Sequence, residues 1–365
     1  MSDFLKIGSI INPLQQKYSA ITPVVKKCKV VVPARVDTFL CKTQYFVEPP
    51  QRQIYPVGSI NFVIDQYSSA SVEINTQGTG NQIYSSRNKI ISHVFLMLKQ
   101  VLNFKEDLII KAENQHNIIH GGLGSTVSLV GSIAIAINEL YGCPLTKTEL
   151  IKFLSQNYGE ENEENEDTLH PAASIGGGFA SALMPGNIVI MQCDTGYPLS
   201  FNLPEFYKVV TFLPDLCQLP SGYDDYQLTM IGYSRLKNMG HEYGAIRKKI
   251  MDEIIIPDLA VGAYAGLFFH INQYTIGKYG NIPEYFSNRW AMSELRFEDI
   301  FLFIYKRLFN IFSDKECCFF VSSGGPLISI ITPDEHKTVQ ALQGLPGQLS
   351  IHYLHNTAAL IKRYK

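Results

Sequence analysis

Apolar positions along the chain follow two rhythms. Residues 29–32 form a β-branched run and residues 59–64 another, while residues 70–74 alternate apolar with polar, which predicts strands punctuated by turns at Pro49-Pro50 and Gly58. From 85 to 102, Ile90, Ile91, Val94, Phe95, Leu98 and Val101 recur at helical spacing behind Ser85 and Ser86. That pattern predicts an amphipathic helix with a serine cap. A short strand over 108–111 comes next, then a glycine-rich turn, then an apolar helix over 125–140 that stops at Tyr141-Gly142-Cys143-Pro144. Thr146 with Glu149 three residues on has capping-box spacing. Strands are predicted over 179–183 and 188–193, with Pro185-Gly186-Asn187 as a hairpin turn. A second half starts near Phe206, with a strand over 209–213, helical patterns through 246–269 and 300–312, and a strand over 318–321. The acidic run over 159–167 interrupts these rhythms and reads as a solvated loop whose end could reach a metal. No repeat of fixed period is present. The element order is α+β.

Composition narrows the partners. A chain of 365 residues with 46% hydrophobic content can bury a substantial core, and its length fits about two domains. A net charge of −2 offers no global basic field, which argues against nucleic acid or an anionic membrane and for small molecules. The seven cysteines are scattered and form no C-x-x-C pattern, and Cys317 and Cys318 are too close in sequence for an ordinary disulfide. With no basic, apolar leader and no apolar run of about 18 residues, the expectation is a soluble cytoplasmic protein. A homodimer is compatible with this size.

Chemistry concentrates in the stretch Ile118-Ile119-His120-Gly121-Gly122-Leu123-Gly124-Ser125-Thr126-Val127-Ser128. A glycine turn opening onto a helix aims backbone N–H groups and a positive helix end at a phosphate. It is not a P-loop, because no lysine follows Gly124, and not a dinucleotide fingerprint, because position 127 is Val. Taken alone, it also reads as a capped turn on a buried helix. It does resemble the second motif of the GHMP kinases (galactokinase, homoserine, mevalonate and phosphomevalonate kinases), G-L-G-S-S-A, although Ile118 or Ile119 stands where the family has Pro. The family's first motif, P-x-R-[VI]-[ND]-[LF] after a strand, is similar to Pro33-Ala34-Arg35-Val36-Asp37-Thr38-Phe39. Its third, a glycine turn between strands, resembles residues 319–330, with Ser322-Ser323-Gly324-Gly325-Pro326 at the turn.

The resemblance covers roughly residues 28–332. It implies a GHMP kinase fold, with a ribosomal protein S5 domain 2-like N-terminal half over 1–200, carrying a left-handed β-α-β crossover, and a ferredoxin-like C-terminal half over 201–365. It also implies an ATP- and Mg²⁺-dependent kinase acting on a hydroxyl of a small metabolite. His120, Gly121, Gly122, Leu123, Gly124, Ser125, Thr126 and Ser128 would hold the nucleotide phosphates, and Thr126 would ligate Mg²⁺ with a carboxylate such as Glu163, Glu166 or Asp167. Arg35 and Asp37 would face the acceptor, unless they form an ordinary strand-end ion pair. Ser323, Gly324 and Gly325, with Gly177 and Gly178, would border the substrate. His170 and Asp194 are further candidates for acid–base work, although an isolated histidine is more often structural. Tyr223, Tyr226, Tyr233, Phe268 and Trp290 offer walls for the acceptor pocket.

One segment departs from the kinases. Homoserine kinases show H-P-D-N before a G-G pair, whereas this chain reads His170-Pro171-Ala172-Ala173 before Gly176-Gly177-Gly178. The missing carboxylate puts base-assisted transfer in doubt. A second branch of the superfamily, the β-ribofuranosylaminobenzene 5′-phosphate synthases, is similar over residues 120–125, at Gly177-Gly178-Phe179 and from Pro257-Asp258-Leu259-Ala260 to Gln273. Those enzymes use phosphoribosyl pyrophosphate, so a transferase of that kind is the alternative, and a non-catalytic nucleotide binder is the third reading.

Overall fold

A computed structural model describes residues 4–14, 18–42, 57–115, 121–161, 167–172, 174–215, 240–280 and 297–365. After a short first strand, β1 (Leu5–Lys6), the backbone is organised by two long ones, β2 (Lys27–Cys41) and β3 (Gly58–Ile74), paired antiparallel. The apolar runs expected over 59–64 and 70–74 are thus one strand. A register shift between Pro33 and Ala34 disrupts the ladder and bends the pair. Before the shift, Cys28, Val30 and Val32 join one core; beyond it, Ala34 and Val36 join another.

In the large sheet, β4 (Gln82–Tyr84) and β5 (Leu108–Asn114) are parallel, joined through helix α1 (Asn88–Leu102), and β5 pairs with β3. Helix α2 (Ser125–Leu140) packs on β2 and β3, and each of its residues is buried. This explains its nearly continuous apolar sequence, since a helix covered on every side needs no polar face. Helix α3 (Lys147–Gln156) starts behind Thr146 with the expected capping box.

A small sheet combines β1 with β6 (Gly159–Glu161) and β7 (Thr168–Pro171). Several sequence expectations change nearby. Glu160 and Glu161 do not belong to a solvated loop; they lie in β6, and their carboxylates approach Arg87. Residues 179–183 are helical, within α4 (Gly177–Leu183): Gly176 turns the chain at a left-handed φ of 92°, and the Ala- and Leu-containing run lacks β-branched residues. Residues 185–187 therefore link α4 to β8 (Ile188–Met191) instead of closing a hairpin, and β8 pairs with β3 and with β9 (Pro198–Phe201). Finally, α1 starts behind Arg87 with no side-chain cap, and Ser85 Oγ accepts the Arg87 N–H at 3.2 Å.

The chain continues through β10 (Lys208–Pro214), helices that include Gly240–Ile250, Ala265–Thr275 and Phe297–Leu308, then β11 (Cys318–Val321), β12 (Ile328–Thr332), a helix over Glu335–Leu342, and β13 (Gly347–Tyr353). These four strands form an antiparallel sheet in the order β11-β12-β10-β13. A β-α-β-β-α-β succession with this strand order is the ferredoxin-like arrangement. The last strand, β14 (Leu360–Tyr364), returns to pair with β2, where Arg363 Nη2 meets Glu139 of α2 at 2.5 Å. Among the described residues, no helix is long and apolar enough to cross a membrane.

Candidate active site

Three motifs far apart in sequence are tied together by hydrogen bonds at the start of α2. The turn over 121–124 has every carbonyl occupied. Gly121 O accepts from Leu327 N at 3.2 Å, and Gly122 O accepts from Ser322 Oγ at 2.6 Å and Arg35 Nη1 at 3.3 Å. Leu123 O accepts from Arg35 N, and Gly124 O from Ser128 N. By contrast, the N–H groups of residues 122–126 have no hydrogen-bond partner among the described residues. Glycine is required at two points of this turn. At Gly122 (φ 106°) a Cβ would lie 2.6 Å from Ser322 O, and at Gly124 (φ 67°) it would lie 3.0 Å from Arg35 Cζ.

Arg35 and Asp37 are two apart on β2 and share a face. They form an ion pair at 2.8 Å, with side chains only 11% and 8% exposed. The turn between β11 and β12 reaches them: Ser323 N donates to Asp37 O at 3.2 Å, and Ser322 Oγ accepts from Asp37 N at 3.0 Å. Burial pushes the Asp37 carboxyl above the ordinary carboxylate range, and Arg35, its own backbone N–H and Ser322 offset this only in part. Gly324 and Gly325 complete the turn, Gly325 at a left-handed φ of 76°. On the other side, a Cβ at Gly178 would overlap Val127 Cγ2 and lie 3.7 Å from Arg35 Nε, so α4 begins directly against the first turn of α2. Gly177 is packed as tightly on the Asn61 amide, which an added Cβ would overlap.

Other candidates are placed differently. Ser128 Oγ is bonded to Ser68 Oγ at 2.8 Å and to Ser125 O at 3.1 Å, which anchors α2 to β3 and gives that hydroxyl a structural task. His170 is buried in β7 with its ring 5.6 Å from that of Phe4. Asp194 is half exposed and pairs with Lys42 at 2.5 Å and Lys248 at 3.8 Å, which turns its carboxylate to surface lysines and not to Arg35 or Asp37. His120, Glu163, Glu166, Tyr223, Tyr226, Tyr233 and Trp290 lie outside the described residues. Phe268 is buried in the core beneath β10, β11 and β12.

Of the expected Mg²⁺ ligands, Thr126 is engaged by Arg87, and Glu163 and Glu166 lie outside the described residues. Thr126 Oγ1 accepts a hydrogen bond from Arg87 Nη1 at 2.7 Å. Glu161 Oε2 accepts from Arg87 Nε at 2.7 Å and lies 2.7 Å from Nη2. Asp167 is exposed, just ahead of β7. Among the described residues, no three His, Cys, Asp or Glu side chains are placed to hold a metal ion. The Thr126 and Glu161 oxygens therefore do not fit a divalent ion in this arrangement. Arg87, Glu161 and Ser322 hold roles that the sequence does not announce. For Arg87 the available signal was a cation at the start of an amphipathic helix, a place that is unfavourable for positive charge unless it is paired.

No protein-family model matches the chain, and no curated protein matches it. Solved structures do. A homoserine kinase from Cytophaga hutchinsonii superposes with a TM-score of 0.56 at 13% identity, covering 94% of this chain and 100% of that one. The mevalonate diphosphate decarboxylase from Enterococcus faecalis gives 0.61 at 11% identity, over 93% and 100%. Mevalonate-3-kinase from Thermoplasma acidophilum, bound to mevalonate 3-phosphate and ADP, gives 0.58 at 14% identity, over 94% and 100%. The fold is the mixed α+β GHMP kinase fold. These structures comprise two kinases and a decarboxylase, so the shared architecture does not by itself name the reaction.

Proposed function

We propose that this chain is a small-molecule kinase that transfers the γ-phosphate of ATP to a hydroxyl of a small metabolite. The observation that carries the reading is the polarity of the glycine turn: its carbonyls are consumed by the protein, while the N–H groups of residues 122–126 are left for a ligand at the N-terminus of a fully buried helix. Such an array suits a phosphate, with the helix dipole and the Arg35 guanidinium adding positive charge. ATP bound there supplies the transferable phosphoryl group. Asp37 takes the part of the absent carboxylate at 172–173. Its raised pKa makes it a stronger proton acceptor than an exposed aspartate, and Arg35 holds it beside the turn. In this reading Asp37 accepts the proton of the acceptor hydroxyl and Arg35 steadies charge on the transferred group. The N-terminal half, over 1–200, carries the phosphate site and the C-terminal half, over 201–365, the acceptor site.

The same cradle suits the pyrophosphate of phosphoribosyl pyrophosphate, and the loss of the D-N pair favours that second reading. Thermal unfolding separates them. A ligand at about 100 times its Kd adds about 2.7 kcal/mol, so ATP and ADP should raise the unfolding temperature clearly. Stabilisation by phosphoribosyl pyrophosphate alone would replace the kinase reading with the transferase one, and binding of ATP without phosphorylation of any hydroxyl metabolite would leave a nucleotide-binding protein.

A further inference from the structure

Among the described residues, the side-chain oxygens gathered beside the first turn of α2, those of Thr126 and Glu161, are already holding a cation. Arg87 is 4% exposed, and its guanidinium is fixed by three contacts of 2.7 Å, one to Thr126 on the first turn of α2 and two to a single carboxylate oxygen of Glu161 in β6. Glu160 stands behind, with one oxygen 4.0 Å from Arg87 Nη2 and the other accepting the Tyr158 hydroxyl. Both carboxylates of β6 thus face groups of the protein itself. A planar guanidinium spreads its donors in a fixed fork, so Arg87 is held rigidly between Thr126 and Glu161, with its charge balanced by the carboxylates of β6. A divalent ion could reach Thr126 Oγ1 and Glu161 only by expelling Arg87, which would leave a buried arginine without its counter-ion. With Arg35 touching the same turn at Gly122 O, two guanidinium groups flank the start of α2.

We infer that Arg87 replaces a protein-bound divalent ion in this site, so that the chain binds the phosphates of a nucleoside diphosphate without needing a metal ligand from Thr126 or Glu161. The inference rests on the nucleotide reading of the same turn. It also makes Arg87 a positioning residue, because it fixes Thr126 and, through it, the first turn of α2.

Isothermal titration of the purified protein with ADP, once in excess EDTA and once in millimolar Mg²⁺, tests it. The Kd in EDTA should lie within about threefold of that in Mg²⁺. Thr126→Val removes the hydroxyl and should change affinity by the same factor in both buffers. Arg87→Met should weaken ADP binding at least tenfold in EDTA and less in Mg²⁺, because the ion then has oxygens to occupy. Since Arg87→Met strands two carboxylates, the double variant Arg87→Met/Glu161→Gln relieves part of that charge and should show the same tenfold loss in EDTA while folding as judged by circular dichroism. Wild-type binding that weakens tenfold or more in EDTA would overturn the inference. So would a Thr126→Val loss confined to the Mg²⁺ buffer, or a folded double variant that binds ADP in EDTA as the wild type does. An absence of ADP binding in both buffers overturns the nucleotide reading and this inference with it, a result distinct from binding in Mg²⁺ alone, which overturns this inference only.

Discussion

Ser322 joins all three motifs of the site, and its loss should weaken the fold out of proportion to its size. Its hydroxyl donates to Gly122 O at 2.6 Å and accepts from Asp37 N at 3.0 Å, and the residue is fully buried. Ser322→Ala leaves the shape of the core almost unchanged, so the loss comes from hydrogen bonding. Leaving a buried donor or acceptor unpaired costs about 1–3 kcal/mol. Gly122 O keeps a second, longer bond from Arg35 Nη1, whereas Asp37 N loses its side-chain partner outright. The expected loss is therefore roughly 2–4 kcal/mol, toward the lower end if Arg35 shortens its bond. Ser329 is an internal control. It is equally buried in β12, but its Oγ has no hydrogen-bond partner among the described residues, so Ser329→Ala should destabilise by no more than about 0.5 kcal/mol. Urea unfolding followed by circular dichroism would measure both, with unchanged slopes required for the comparison. If Ser322→Ala lost no more stability than Ser329→Ala, the hydroxyl would not be what ties the three motifs together.

Asp37→Asn should lower phosphotransfer by about 10²–10⁴-fold, read in a coupled ADP-release assay, if Asp37 is the proton acceptor. The same variant carries a pH signature. A carboxyl whose pKa rises on folding stabilises the fold below its unfolded pKa, near 4, and loses that contribution as pH climbs through the raised value. The stability of the wild type relative to Asp37→Asn should therefore fall as pH rises from about 4 through that value, and a difference that grows instead would refute the sign. His93 gives the opposite case: burial lowers its pKa, its Nδ1 accepts from Gly8 N at 2.9 Å, and its Nε2 donates to Asn157 O at 3.0 Å. Its stabilising contribution is complete above the ordinary histidine value of about 6.5 and is lost as pH falls through the lowered value, with a slope of at most about 1.4 kcal/mol per pH unit. His93→Gln should flatten that part of the acid limb in pH-dependent urea unfolding, leaving the share expected from His270 and His355, whose pKa values are also lowered by burial. Gly178→Ala should cost about 1–3 kcal/mol through overlap with Val127, and Val127→Ala in the same chain should recover part of it, as a double-mutant cycle would show.

Much of this architecture was legible because the local signals agreed with the packing. The run from Ser125 to Leu140 is helical over the expected span, and the capping box at Thr146 is formed. The three motifs were visible as separate strings, but their meeting was not, since no spacing along the chain says that Ser322 will bond Gly122, 200 residues away. The failures have physical causes. Residues 179–183 read as a strand because a short apolar run looks the same in either state, and the deciding feature was the left-handed turn at Gly176. Glu160 and Glu161 read as solvated because acidic runs usually are; here a buried arginine on another element compensates them.

That compensation also explains how this site tolerates so much buried charge. Around the first turn of α2 the described side chains bring two guanidinium groups, Arg35 and Arg87, and three carboxylates, Asp37, Glu160 and Glu161. Asp37 meets Arg35 on its own strand, while Glu160 and Glu161 of β6, whose side chains are 13% and 20% exposed, meet Arg87 at the entry to α1, so each carboxylate has a guanidinium beside it. On the proposed function, a phosphate entering at residues 122–126 would meet backbone N–H groups that need no reorganisation, next to arginines already held in place. The charges are assembled when the chain folds, and a bound anion then adds negative charge where the backbone dipoles and Arg35 already point. An apolar replacement of the Arg35–Asp37 pair would keep the shape of the fold and lose the ordering of the turn carbonyls and, in the proposed kinase reading, the proton acceptor. These two residues, alternate on one strand and turned to one face, therefore mark the centre of the candidate site.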